Sequence, residues 1–532
     1  MQGKGYFQIV EKNEKTVFYS VLIINIAFLF FTRFYPSMDG PAHLYNSNLI
    51  KHLILKNNFL SGFYQINSIP IPNWISHFIL SISKLILPGW LAEKLLLTFY
   101  ISGMSISFRQ LVKTVKPENL LLSIFIFPFI YSFLFHLGFY NYALSFVFFF
   151  LTLSYWLTNS DSISLKSYVI TGLLLTLTYF SNVLTYGFLG ITLGCVVIYK
   201  ELEKNSINIR QLPEGSLRKL SRLAISAAPS LIFLFIFFQK TTFISTTERY
   251  ETTELFKWIN DVRSLIVFGY QGEEIYTEQF FHIILILLVF SLFTAKNQSI
   301  TLNKTTILKY LILSFPIFLT LLLFFILPNG ASAGMMSDRL CLLFFIYLLI
   351  FVATRTLPIK IKSIATFLIV ILHLTLLIKH TITIRNLDKD ASQIVESANY
   401  IQENKIVLPV NLSDNWLEPH FSNYLGVEKP MLILENYETE VGWFPLLWKQ
   451  DSPNIQLNGR PSVSELKWHQ SVSSKNKVQI DYIFLYGNMA KKNDIRWKEL
   501  NEIISSEFVL RYESENNYIQ LYEKKIIISI IL

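Results

Sequence analysis

Charge is what this sequence has least of. Only 16% of its 532 residues are Asp, Glu, Lys or Arg, while 52% are hydrophobic; a soluble globular chain carries about a quarter charged residues. So little charge cannot cover a water-facing surface of this size, which excludes an ordinary cytosolic enzyme and leaves a multi-spanning membrane protein. Cysteine is nearly absent too. Cys195 and Cys341 each lie inside an apolar run, so neither a disulfide framework nor a thiolate metal site is implied. The motifs of soluble enzymes are missing: there is no Gly-rich phosphate loop leading into Lys-Ser/Thr, no His-Glu-x-x-His and no nucleophile elbow. No internal repeat or long low-complexity tract is visible. The apolar run 17–34 is not followed by a small-x-small cleavage site and reads as a retained first helix.

What is present is a net charge of +9 placed in short gaps between apolar runs. That placement is the positive-inside pattern, which makes the charge a record of topology and argues against nucleic-acid binding. The clusters Arg109-Lys113-Lys116, Lys200 to Arg222, Lys296-Lys304 and Arg355-Lys360-Lys362 all become cytoplasmic with spans near 17–34, 91–110, 119–136, 138–157, 167–181, 183–199, 222–239, 280–295, 307–327, 339–354 and 362–379. The expectation is therefore about eleven transmembrane helices in an all-α bundle, with the N-terminus in the cytoplasm. The runs at 167–181 and 183–199 are short and meet at Ser181-Asn182, which leaves an incomplete hairpin open. Residues 37–90 are broken by Gly40-Pro41, Pro70, Pro72 and Pro88-Gly89 and read as an external loop with interfacial helices near 40–56 and 74–87, the latter too short to span. Residues 1–384 form the expected membrane domain. From 385 to 532 the composition turns polar, with a helix expected at Asp388 to Glu403 and strands at Ile406 to Val410, Met431 to Leu434, Ile480 to Tyr486, Phe508 to Arg511 and Tyr518 to Tyr522, as in a small extracytoplasmic α/β domain. The last residues, Ile526 to Leu532, are too few to span.

The candidate chemistry lies in the external segments. Asp39 and His43 are four residues apart, hence on one helical face: an acid suited to a base or metal ligand, beside a histidine suited to an anion. Asp39 is equally a good N-cap with Pro41 in the first turn, and both readings stand at this point. His136 and Asn141 share the tight turn His136-Leu-Gly-Phe-Tyr-Asn141. Asp338-Arg339 follows the small-residue loop 328–338, where an arginine suits bidentate phosphate binding or snorkelling to head groups. Glu273 and Glu274 are a possible further carboxylate source or a solvated turn. His77 and Glu93 stand among apolar residues with no evident role. Trp416, His420, Trp443, Trp448 and Trp468 suit carbohydrate stacking or core packing in the outer domain.

Asp39-Gly-Pro-Ala-His43, His136-Leu-Gly-Phe-Tyr-Asn141 and Asp338-Arg339, in a layout of a first external loop, a short polar turn, a long later loop and a soluble outer domain, resemble the GT-C superfamily of membrane glycosyltransferases, in an uncharacterised bacterial subgroup. The resemblance covers nearly the whole chain in layout, through short motifs. It implies an inner-membrane enzyme that moves a sugar from a polyprenyl-phosphate donor to an envelope acceptor on the outer face, by displacement with inversion. The first-loop acid of the family, its base or metal-proximal acid, corresponds to Asp39, with His43 beside it. Arg339 corresponds to the donor-phosphate arginine, and His136, Asn141 and Asp338 to further substrate contacts. Many members carry a second acid in the turn that here holds His136 and Asn141. Its absence leaves no assigned metal ligand, with a divalent cation still possible. The partners implied are lipid-linked sugar, membrane lipid and an envelope acceptor. Two other classes use the same polar groups: a transporter or flippase of lipid-linked saccharide, and a non-catalytic scaffold of polysaccharide assembly. The lack of repeated halves speaks against a carrier.

Overall fold

Long apolar runs without interior charge leave the backbone one way to satisfy its own polar groups in lipid, the helix, and helices make up most of the described residues between 14 and 400. The computed structural model describes residues 13–204, 212–241, 247–297, 304–330, 334–449, 480–493 and 497–525. Trp468 and the tail 526–532 lie outside them. The chain divides into two units, each assembled from separated segments. The first comprises residues 1–29, 98–136 and 140–383; the second comprises 30–97, 137–139 and 384–532.

Within the first unit, helices run Glu14–Leu29, Tyr140–Asn159, Leu165–Ser181, Val183–Lys204, Leu212–Lys240, Tyr270–Asn297, Lys304–Ile326 and Met336–Ala353; Gly89–Val115 and Ile359–Ser397 each continue between the two units. Seven helices among the described residues are long and apolar enough to cross a membrane, and Pro117–Ile130 and Leu311–Ile326 are shorter apolar helices. The expected eleven spans thus reduce to seven that meet the length and composition requirement. The first run stops at Leu29 after 16 residues. The run at 119–136 is broken into a 3₁₀ stretch Pro117–Ile126 and two single-turn helices, Phe127–Ile130 and Phe133–His136, with Pro128 inside the break.

Met336–Ala353 is the spine of this unit, buried at nearly every position. Its exposed C-terminal carbonyl at Ala353, with that of Arg355, is met by the Asn119 side-chain amide at 2.8 and 2.7 Å. Tyr347 on the same helix donates to Phe188 O at 3.2 Å. By contrast, Leu231, Ile232, Phe235 and Phe238 on one helix and Leu292 and Phe293 on another stand exposed. Water would penalise such a surface and lipid does not, so the exposed apolar belt marks a membrane protein.

The second unit is built on a five-stranded sheet. Its strands, with one more pair, are β1 (Tyr64–Ile66), β2 (Ile406–Leu412), β3 (Leu432–Ile433), β4 (Leu446–Trp448), β5 (Tyr482–Gly487), β6 (Phe508–Glu513) and β7 (Ile519–Lys524). The sheet order is β3-β2-β5-β7-β6, with β3, β2 and β5 parallel and β7 and β6 antiparallel, while β1 pairs β4 in a separate antiparallel ladder. β2 and β5 are buried on both faces, which is why they read as unbroken apolar runs. The expected helix at 388–403 is no separate element: it is the end of Ile359–Ser397, extended by a 3₁₀ turn at Ala398–Tyr400. No proline or glycine interrupts the sequence from Ile359 to Asn399.

Residues 30–97 join this unit rather than forming a loop of their own. Helix Gly40–Ile54 is buried from Gly40 to Ile50. Its polar residues are matched to the carboxyl-terminal segment: Asn46 and Asn436 exchange side-chain amide hydrogen bonds at 3.0 and 2.7 Å, Asn48 donates to Gly426 O at 3.0 Å, and Tyr45 Oη donates to Met431 O and accepts from Ile433 N, both at 3.0 Å. Helix Ile75–Ser83 has two faces. His77, Leu80 and Ser81 point inward, while Phe78 and Ile82, followed by Leu85 and Ile86, are exposed, as suits an interfacial helix.

Candidate functional site: a buried cluster of acids and histidines

The chain enters helix Gly40–Ile54 through Pro36-Ser37-Met38-Asp39. Asp39 occupies the N-cap position, but its carboxylate makes no capping hydrogen bond. Ser37 takes over part of that task, its Oγ accepting from Gly40 N at 3.1 Å, and Pro41 in the first turn needs no partner for its missing N–H. The choice between capping and chemistry left by the sequence is thereby narrowed: the Asp39 side chain is released from the helix end.

Residues 137–139 brace this turn. Leu137 O accepts from Asp39 N at 3.0 Å, and Gly138 O pairs with His43 Nε2 at 2.9 Å. Gly138 has φ +84, and a Cβ there would lie 2.7 Å from Gly40 N and 2.9 Å from Asp39 N. Only glycine permits both the backbone conformation and the approach.

The remaining members come from the carboxyl-terminal segment. After β3, the 3₁₀ turn Tyr437–Thr439 delivers Tyr437 and Glu438, with Glu435 just before it. Glu438 is clasped between two imidazoles: Oε1 lies 2.6 Å from His43 Nδ1, and Oε2 lies 2.7 Å from His77 Nε2. Those two rings meet edge to face at 4.8 Å, and Phe444 packs against both. His420 joins the other two acids, with Nδ1 2.8 Å from Glu435 Oε1 and Nε2 3.8 Å from Asp39 Oδ1, and its ring stacks on Tyr437 at 4.4 Å. Glu435 is held in turn by Ser422 Oγ at 3.2 Å and by the Asn423 amide. Three acids and three histidines therefore share one buried site. His77 and Glu438 are fully buried, and Asp39 and His420 keep 6% and 9% exposure.

Burial and mutual pairing set the charge states. Burial pushes the Asp39 carboxyl above the usual range, only partly offset by His420, His43 and Tyr437. Burial pulls His43 and His420 down, but the neighbouring Glu438 and Glu435 carboxylates respectively override it, so both are raised. Glu438, despite its burial, is held down to about 2 by His77 and His43. The arrangement keeps Glu438 anionic and gives Asp39 a proton affinity closer to that of a working general base. In donor terms, His43, His77 and Glu438 offer two imidazole nitrogens and a carboxylate oxygen within 4.8 Å of one another.

The other sequence candidates lie in the first unit. His136 Nδ1 pairs with Ser132 O at 3.0 Å, and its ring meets that of His380 at 5.3 Å with Phe268 against both. Glu273 accepts from Val267 N and Phe268 N at 2.7 and 3.2 Å and faces His380 Nε2 at 3.3 Å, a clamp on its own loop. Asn141 is buried in the first turn of Tyr140–Asn159. Asp338 faces Arg263 at 3.8 Å, and Arg339 donates to Gly334 O at 3.1 Å with its guanidinium over the Tyr142 ring. Asp39 and His43 are thus brought together in one unit, and His136 is joined to His380 and Glu273 in the other.

Sequence reasoning missed Glu435, Tyr437 and Glu438, gave His77 no role and left His420 between carbohydrate stacking and core packing. Glu435 and Glu438 lie just beyond the short strand β3, at the carboxyl end of a parallel edge where open α/β sheets place their ligands, a position that the sheet order reveals and the local sequence does not. No family model matches the chain, and no curated protein matches it.

Proposed function

We propose that the protein is a membrane glycosyltransferase of GT-C type that moves a sugar from a polyprenyl-phosphate donor to an envelope acceptor at the outer face of the inner membrane. The observation that carries this reading is the Asp39 carboxylate: it sits at a helix start without serving as the cap, and it is backed by His420 and Glu435 in a buried cluster of acids and histidines. In the reaction the acceptor oxygen attacks the anomeric carbon while Asp39 takes its proton. The bond from that carbon to the phosphate oxygen breaks, and its electron pair leaves on the lipid phosphate. His420, a positive neighbour of Asp39, orients the carboxylate, and Glu435 holds the imidazole, the same order of roles by which an acid orients a histidine in hydrolytic triads. His43 anchors the turn to Gly138. The apolar surface of the first unit and the absence of nucleotide motifs agree with a lipid-borne donor.

The test is sugar transfer from a polyprenyl-phosphate donor in membranes carrying Asp39→Asn, with amounts of protein matched. A general base contributes about 10²–10⁴ in rate, so transfer falls at least a hundredfold. Undiminished transfer refutes Asp39 as the base. A wild-type protein inactive on a panel of lipid-phosphate sugars, yet moving lipid-linked saccharide between leaflets, selects the flippase reading.

A further inference from the structure

We infer that His43, His77 and Glu438 form a binding site for one divalent transition-metal ion of the zinc class. The argument begins with the direction of lone pairs. His43 Nε2 lies 2.9 Å from the Gly138 carbonyl oxygen, which can only accept, so that nitrogen carries a hydrogen. In the neutral ring the lone pair is then on Nδ1, and Nδ1 lies 2.6 Å from Glu438 Oε1. A nitrogen lone pair and a carboxylate oxygen at that distance require a positive charge between them. Glu438 Oε2 lies 2.7 Å from His77 Nε2, and the other nitrogen of that ring faces Ser76 Oγ, a hydroxyl that donates or accepts, so a neutral His77 donates to the carboxylate. One carboxylate is gripped on both oxygens by two imidazoles, all three residues being 3% exposed or less.

One extra proton, on His43, satisfies this arrangement, and so does one divalent cation. The proton leaves an imidazolium buried against the carboxylate. The cation leaves two neutral rings and lets both nitrogens and the carboxylate act as ligands, which is the two-histidine, one-carboxylate donor set of open zinc and related sites. The three donor atoms are already within 4.8 Å of one another. Donors at about 2.0–2.2 Å from one tetrahedral ion stand about 3.4 Å apart, so the two short contacts widen by roughly 0.7–0.8 Å and any wider donor pair closes to admit it.

The surroundings have the form that metal-bound imidazoles require. The Nε2–H of His43 is fixed on a backbone carbonyl, which sets the tautomer and ring orientation, as outer-shell partners do. Ser76 Oγ lies 3.4 Å from His77 Nδ1, giving the second ring its own outer partner. Phe444 closes the apolar side against both rings. With three protein ligands a position stays open, the difference between a site that binds an exogenous group and a closed structural one. This assignment does not depend on sugar transfer: it concerns a metal centre in the second unit whatever reaction that unit serves.

The test uses full-length protein in detergent, stripped with chelator, desalted and reloaded with Zn²⁺ or Co²⁺. Elemental analysis after a second desalting is expected to give close to one ion per chain. The Co²⁺ form is expected to show visible d–d absorption typical of four- or five-fold coordination, and X-ray absorption on the Zn²⁺ form to show two imidazoles in the first shell. His77→Ala and Glu438→Gln lower retained metal at least tenfold. Should either variant fail to fold, the wild-type measurements decide alone. A wild-type protein that retains well under a tenth of an equivalent, shows no Co²⁺ spectrum and melts at the same temperature with and without Zn²⁺ overturns the inference. So does a bound ion whose absorption spectrum lacks imidazole. Because metal is read without substrate, either result leaves the proposal for Asp39 to its own assay.

Discussion

Replacing Gly138 by alanine tests whether the 137–139 segment sets the position of Asp39. The added Cβ meets Gly40 N at 2.7 Å and Asp39 N and Cβ at 2.9 Å, atoms of backbone or fixed to it that no rotamer change can move aside. The residue also stands at φ +84, which costs a non-glycine residue about 1–2 kcal/mol. Relief requires the segment to back away, lengthening the Asp39 N to Leu137 O and His43 Nε2 to Gly138 O hydrogen bonds, each worth about 1 kcal/mol or more. The local cost is therefore about 3 kcal/mol, equivalent to roughly a hundredfold change in an opening equilibrium. Hydrogen exchange followed by mass spectrometry over residues 37–45 reads that opening directly. Gly138→Ala is expected to exchange there about a hundredfold faster than wild type, with exchange in Met336–Ala353 unchanged. Gly442→Ala is the control, since Gly442 also has positive φ (+75) but its Cβ meets nothing within 4 Å; it carries the conformational cost alone. Equal exchange at 37–45 in wild type and Gly138→Ala would show that the segment does not hold the turn, and the positioning argument for Asp39 would fail with it.

Three further outcomes follow from the same geometry. Asn436→Ala strands the buried Asn46 amide, and thermal unfolding of the purified protein should show a loss of about 1–3 kcal/mol; a neutral change would mean the pair is not formed. The base must be deprotonated to act, and burial raises Asp39 above its ordinary value of 3.8, so kcat/KM for transfer should rise with pH along an acid limb displaced upward from that value; a limb at or below it contradicts the burial argument. Lys84, buried against the carbonyls of Val427 and Leu44, is lowered by burial to about 7 from 10.5. Between those values the unfolded chain binds the extra proton, so this lysine makes the fold gain stability as pH rises from about 7 towards 10 and lose it below. Melting temperatures across that range should show the gain in wild type and a flatter profile in Lys84→Gln.

Much of the fold could be read in advance, because periodicity and composition act locally. Every expected strand from Ile406 to Tyr522 falls on an observed strand, and the apolar runs from 91 to 110 and from 138 onward fall on helices. Counting crossings was harder, since length and apolarity do not say how a run is terminated. Pro128 breaks the 119–136 run, and the helix of the first run ends at Leu29. Asp39 and His43 stood out because ionisable groups are rare beside an apolar helix. Glu435, Glu438 and His420 did not, because in a polar segment acids and histidines are ordinary and only the tertiary partner distinguishes them. The acids that stand with Asp39 and His43 come from the far end of the chain, a pairing no local pattern encodes.

The amide exchange between Asn46 and Asn436 joins residues 390 positions apart. On a ribosome adding about 5–20 residues per second, the helix that bears Asp39 and His43 is made tens of seconds before the acids and amides that match it. Through that interval the buried face of Gly40–Ile54 lacks its partners at Met431, Ile433 and Asn436, so the site is among the last parts of the protein to be completed. A chain truncated shortly before Met431 would retain every long apolar helix yet keep this helix unmatched. Nascent-chain quality control is therefore expected to recognise such a product by its amino-terminal end, although the damage lies at the carboxyl-terminal one.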